Sequence, residues 1–270
     1  MNENMPVPPE IPPLGSAQAF AARIAEPVPP PPLSGQRALG EDPAERVPIH
    51  GIFGVVEAVL RQPRRVMYQL RQPGAGGLIA GLLFASVVCG LVYGLIIGSF
   101  SGHEQWWAAP VKFTGGLVVA LLICLPSLYI FAGLSGSTAR LGELFGLVSG
   151  LLLLMTVLLV GFAPVAWLFS QSTDSILWMG FLHLLFWLVA TAFGLRFLDA
   201  GFRHTNARST AGLKTWTVIF VLVVLQMSTA LRPLLGRADT FLPTEKKFFL
   251  AHWGQCLEKP FEDGETRSRK

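Results

Sequence analysis

The 270-residue chain is 51% hydrophobic and only 14% charged, with a mean hydropathy of +0.51 and a formal net charge of +4. A water-soluble domain carries roughly a quarter charged residues, so this composition excludes an ordinary soluble globule and indicates a surface facing lipid. The basic residues flank apolar runs and line no aromatic-interleaved groove, so they read as topology signals and no nucleic acid is expected as a partner.

Residues 1–50 hold 12 of the 20 prolines, including Pro29-Pro30-Pro31-Pro32, and lack the apolar core of a cleavable signal peptide. They predict a disordered, polyproline-rich cytoplasmic tail acting as a tether. Val28–Leu33 also suits the aromatic groove of a cytoplasmic partner.

Residues 51–73 predict an amphipathic interfacial helix. Ile52, Phe53, Val56, Val59 and Leu60 recur at helical spacing, with Arg61, Arg64, Arg65 and Arg71 beside them. An apolar stripe with arginines next to a span suits the surface of an anionic leaflet.

Residues 74–235 predict a five-helix transmembrane domain. The first span, Gly77–Gly98, has 22 residues without a charge, enough to cross a ~30 Å hydrocarbon core. Gly90, Gly94 and Gly98 recur on one of its faces, where another helix can approach closely. Spans follow at Phe113–Leu134, Leu144–Phe169, Ser175–Leu195 and Thr215–Leu231. Pro126 and Pro164 predict bends in the second and third. Gly142, Gly146 and Gly150 give the third span a second row of small residues. The hairpin Phe113–Gln171 is expected to organise the bundle.

Nine basic residues, Arg61, Arg64, Arg65, Arg71, Arg140, Arg196, Arg203, Arg208 and Lys214, fall on one side of these spans. Four, Lys112, Arg237, Lys246 and Lys247, fall on the other. The excess places the N-terminus in the cytoplasm and the C-terminus outside, as in a bacterial inner membrane. Trp106, Trp107, Trp167 and Trp178 would then mark the outer interface and Trp216 the inner one. Residues 236–270 predict an amphipathic tail on the outer face, carrying Phe241, Phe248, Phe249 and Trp253.

Few polar residues inside the bilayer invite a chemical role. His183, near the middle of the fourth span, is a candidate haem or quinone ligand or proton carrier, or else a histidine hydrogen-bonded between helices. Arg232 is a candidate anchor for an anionic group, a lipid phosphate included. Cys89, Cys124 and Cys256 form no Cys-x-x-Cys, which excludes a cysteine zinc site, a dithiol centre and covalent haem. No metal and no resident cofactor is expected. Gly133-Leu134-Ser135-Gly136 matches the short Gly-x-Ser-Gly of rhomboid-type intramembrane proteases. Those have at least six spans and a serine starting a helix inside the bilayer, whereas Ser135 ends a span. No catalytic residue is assigned.

A Pro-rich cytoplasmic N-terminus, five spans over about residues 75–235 and short loops resemble the layout of the Yip (Ypt-interacting) family and its bacterial relatives. Met227–Pro233 followed by Phe248–Trp253 also looks like small bacterial membrane proteins without an assigned role. The resemblance implies partner binding and carries over no catalytic residue. The expectation is an all-α polytopic bundle with interfacial helices at both ends. It acts as a non-enzymatic scaffold or accessory subunit, packing its glycine faces on other integral membrane subunits or on a second copy. The alternative is a small-ligand transporter or a redox anchor for quinone or haem, using His183 and Arg232.

Overall fold

A computed structural model describes residues 38–101, 105–172 and 176–230. Every regular element among them is a helix: α1 (Pro43–Arg46), α2 (Gly51–Arg61), α3 (Pro63–Leu70), α4 (Gly76–Ser101), α5 (Gln105–Leu134), α6 (Leu141–Ser172), α7 (Ile176–Arg203) and α8 (Ala211–Ala230). Four of them, α4 to α7, are long and apolar enough to cross a membrane, which makes this an integral membrane protein. The fifth expected span is the difference. Among the described residues, the apolar stretch of α8 is shorter and covers Ala211–Gln226.

Helix α6 is the centre. Its first half is buried on all sides through Leu144, Leu147, Val148, Leu151, Leu152, Met155 and Leu159, the mark of a helix enclosed by neighbours. Its main partners are α4 on one flank and α7 on the other. Helix α5 packs chiefly on α4 and carries α8 on its far side. The expected α5–α6 hairpin therefore exists in sequence, but α4 is the largest single packing partner of each of its arms.

The α5–α6 turn is fixed by its backbone. Gly136 adopts φ +74°, a left-handed conformation that closes a helix C-terminus without a side-chain clash. Ser137 N–H then donates to Ala132 O at 3.0 Å and Gly136 N–H to Gly133 O at 2.9 Å. This turn is zipped to the α7–α8 turn. Thr138 N–H donates to Thr205 O, Arg208 N–H to Ser135 O, and the Ser137 and Thr205 hydroxyls meet at 2.8 Å.

Helices α1 to α3 form a cap over this same end of the bundle. Asp42 accepts the Ala44 N–H and Pro43 starts α1, so a Pro-rich segment ends in a proper helix start. Pro63 ends α2 and begins α3, since its missing N–H suits only a first turn. Val55, Ala58, Val59, Val66, Met67 and Leu70 turn inward and join the main core. Residues 38–50 are thus part of the fold, whereas the expectation placed all of 1–50 in a tether. The proline-rich stretch up to residue 37 and the tail 236–270, with its expected amphipathic helix, lie outside the described residues.

Candidate functional site

Helices α4, α5 and α7 each bring an aromatic side chain to one level of the bundle. Tyr93, Phe113 and His183 lie about eight residues from the ends of their helices that face away from the cap, or roughly 12 Å along the axis. The Tyr93 and Phe113 rings meet at 5.4 Å, and the His183 ring stands edge-on to Tyr93 at 5.7 Å. Tyr93 Oη and His183 Nδ1 are hydrogen-bonded at 2.7 Å.

Both partners are buried, Tyr93 at 2% exposure and His183 at 9%. A polar group in so apolar a place costs free energy unless it is paired, so the bond holds α7 to α4. The bond couples to the tautomer, since either group can be the donor. With Tyr93 O–H donating to Nδ1, the phenol hydrogen has an acceptor, which favours that arrangement. An uncharged His183 then carries its proton on Nε2. That nitrogen is buried and has no hydrogen-bond partner. One turn onward, Phe186 stacks on Phe162 of α6 at 4.8 Å, and Trp187 is buried as well.

The sequence singles out His183 but not Tyr93. The available signal is a phenol in the first span at the depth of the only histidine in the fourth.

The glycine rows have occupants within the chain. A Cβ on Gly90 would stand 2.9 Å from Thr114 Oγ1, and Gly94 is covered by the backbone of Pro110, both on α5. Gly98 is buried as well. Gly146 is filled by Leu70 of α3, and a Cβ on Gly150 would lie 2.6 Å from Phe197 of α7. Gly142 alone among these six is exposed, with nothing within 4 Å of its Cβ position.

The arginines beside the cap are distributed unevenly. Arg64 Nε pairs with the buried Glu45 at 2.5 Å, and Arg71 Nε with Glu143 of α6 at 2.9 Å. Arg65 donates to the carbonyls of Val47 and Pro48 at 2.8 and 2.9 Å. Arg61 is exposed and lies 3.7 Å from the equally exposed Glu57. Burial pushes the Glu45 carboxyl up, but the Gly40 N–H and Arg64 outweigh it and hold its pKa below the ordinary value. His204, at the end of α7, is held low by burial and then by Arg64 and Arg71, with Glu45 opposing them.

Other candidates separate. Ser135 donates to Phe131 O at 2.8 Å within its own helix, at the capped end, while His183 lies toward the opposite one. The two form no nucleophile–base pair. Trp216, expected at a membrane interface, is fully buried and donates from Nε1 to Cys124 O at 2.8 Å. Trp106, Trp107, Trp167 and Trp178 are exposed on the other helices. Arg232 lies outside the described residues. No cluster of three metal-ligating side chains occurs among the described residues. Compared with known proteins, the chain matches no family model, no curated protein and no solved structure.

Proposed function

We propose that the protein is a non-enzymatic scaffold or accessory subunit of a membrane complex. The observation that carries this reading is the use made of its polar side chains. Glu45 with Arg64, Arg71 with Glu143, Tyr93 with His183 and Trp216 with the Cys124 carbonyl each tie one segment of the chain to another. Such pairs hold a shape; they do not converge on a point where a substrate bond would be broken. The layout resemblance to the Yip family points the same way.

The proposal changes which surface meets the partner. Four of the glycines expected to receive foreign helices are filled by Thr114, Pro110, Leu70 and Phe197 of this chain. Helix α8 is the more open candidate. It packs on α5 and leaves Val218 and Leu222 exposed on its other side. Its 20 residues reach about 30 Å at 1.5 Å per residue, so it acts as the fifth span. With five crossings and the basic residues on the capped side, the cap lies in the cytoplasm and the C-terminus outside, in a bacterial inner membrane. Arg61 and the outer face of α2 then rest on the leaflet, and the Pro-rich sequence of residues 1–37 supplies a ligand for a cytoplasmic partner.

Affinity purification in mild detergent tests this, reading native mass and co-purifying polypeptides together. A stoichiometric complex with other membrane proteins is expected. A lone monomer or a homo-oligomer would overturn it.

A further inference from the structure

The open nitrogen of His183 goes beyond a scaffold role. Helix α7 packs on α6, and neither α4 nor α5 is among its principal neighbours. Tyr93 and His183 therefore meet by reaching across the space between helices, and Phe113 closes the group from a third helix. Where backbones touch in this bundle, the small residues are filled. Here the helices are joined by long aromatic side chains, and one ring ends in a polar atom without a partner.

Three properties fix the chemistry of what would satisfy it. With the Tyr93 hydroxyl donating to Nδ1, Nε2 carries the N–H, so a ligand that satisfies it offers an acceptor. The surroundings are apolar and aromatic, so the acceptor is uncharged; a carboxylate taken from water without a paired cation is costly there. The position, about eight residues in from the uncapped ends of membrane-spanning helices, is one that a molecule dissolved in lipid reaches without crossing water. Planar rings suit the aromatic faces of Tyr93 and Phe113, which lie beside the imidazole.

We infer that His183 Nε2, oriented by Tyr93, binds the carbonyl of a membrane-soluble aromatic or quinonoid ring. Quinones are the class that combines a flat apolar ring, an uncharged carbonyl acceptor and residence in the bilayer. The interaction is one of binding, and it is independent of whether partner subunits are found.

The test is isothermal titration of the full-length protein in mild detergent with decylubiquinone, against an empty-micelle blank. Wild type is expected to bind saturably near one equivalent. His183→Leu should weaken binding about tenfold, since a donor to a buried carbonyl is lost. His183→Gln restores an N–H and should recover most of the affinity. Tyr93→Phe keeps the imidazole but removes the group that sets its tautomer, and should weaken binding several-fold. Gel filtration and thermal melting establish that each variant is folded. If His183→Leu does not fold, Tyr93→Phe and His183→Gln still decide. Absence of saturable binding by wild type, as when a water alone satisfies Nε2, would overturn the inference. So would folded variants that all titrate like wild type.

Discussion

Arg71, just past the end of α3, reaches Glu143 in the first turn of α6 at 2.9 Å, and so latches the cap to the most enclosed helix of the bundle. The carboxylate is the more sheltered partner, with its side chain 13% exposed against 33% for the arginine. It also sits where a helix N-terminus favours negative charge. Glu143→Gln should therefore lower the thermal stability of the cap by about 1–2 kcal/mol, a loss typical of a half-buried charge-assisted bond. Limited proteolysis of residues 38–71 reports it. If Glu143→Gln is as costly in an Arg71→Gln background as in wild type, the latch has no energetic content.

The second prediction concerns the α6–α7 contact. A methyl group at position 150 would be 2.6 Å from Phe197 Cε1 and 2.8 Å from Cζ. Gly150→Ala should destabilise the bundle by about 1–3 kcal/mol through overpacking. Shortening the opposing ring with Phe197→Leu should return part of that loss. Equal melting temperatures for Gly150→Ala and wild type would show that the ring moves aside freely.

Acid should loosen the cap in two steps. His204 has its folded pKa below the ordinary 6.5, so the unfolded chain takes up a proton first. Stability contributed by the neutral ring is complete above that value and declines as the pH falls below it. Glu45 is likewise held below its ordinary 4.5, so the stability it contributes is present above 4.5 and is lost at more acid pH. His204→Gln should flatten the upper part of the pH–stability curve and Glu45→Gln the lower part. A cap whose melting temperature rises between pH 7 and pH 5 would contradict the His204 sign, and one whose melting temperature rises as the pH falls below 4.5 would contradict the Glu45 sign.

One polar contact of helix α8 is easily removed. Trp216→Phe keeps most of the buried ring and its stacking on Phe220 but deletes the N–H that reaches the Cys124 carbonyl. The cost should be about 1 kcal/mol. Alkylation of a cysteine placed at Val224 should then speed up, because α8 separates from α5 more often. An unchanged labelling rate would assign the hold on α8 to apolar packing alone.

The sequence makes some of this visible and hides the rest for a definite reason. The apolar runs of α4 to α7 stand out because 24 or more residues in each can be read without any partner. Gly90, Gly94, Gly146 and Gly150 mark faces of close approach equally well. What covers a face is a matter of tertiary arrangement, and periodicity has no access to it. The rows consequently looked like docking sites for foreign helices, whereas Pro110, Thr114, Leu70 and Phe197 occupy them. Short-range signals were also misleading near residue 43, where prolines suggest an extended tail. There Asp42 and Pro43 instead start a helix that buries Glu45. His183 could be located by depth, but the atom left open follows only from its bond to Tyr93.

The latch between α3 and α6 joins parts of the chain that are made at different times. Arg71 and Leu70 precede Glu143 and Gly146 by roughly 70 residues, on the order of several seconds of elongation at ordinary translation rates. During that interval the cap helices have no α6 to close upon, and Leu70 has no notch to enter. The N-terminal segment can pack on α4 early, but it completes its anchorage only after the third long helix has entered the bilayer. Cap closure is in effect a record, at the membrane surface, that the central helix has been threaded in the right direction.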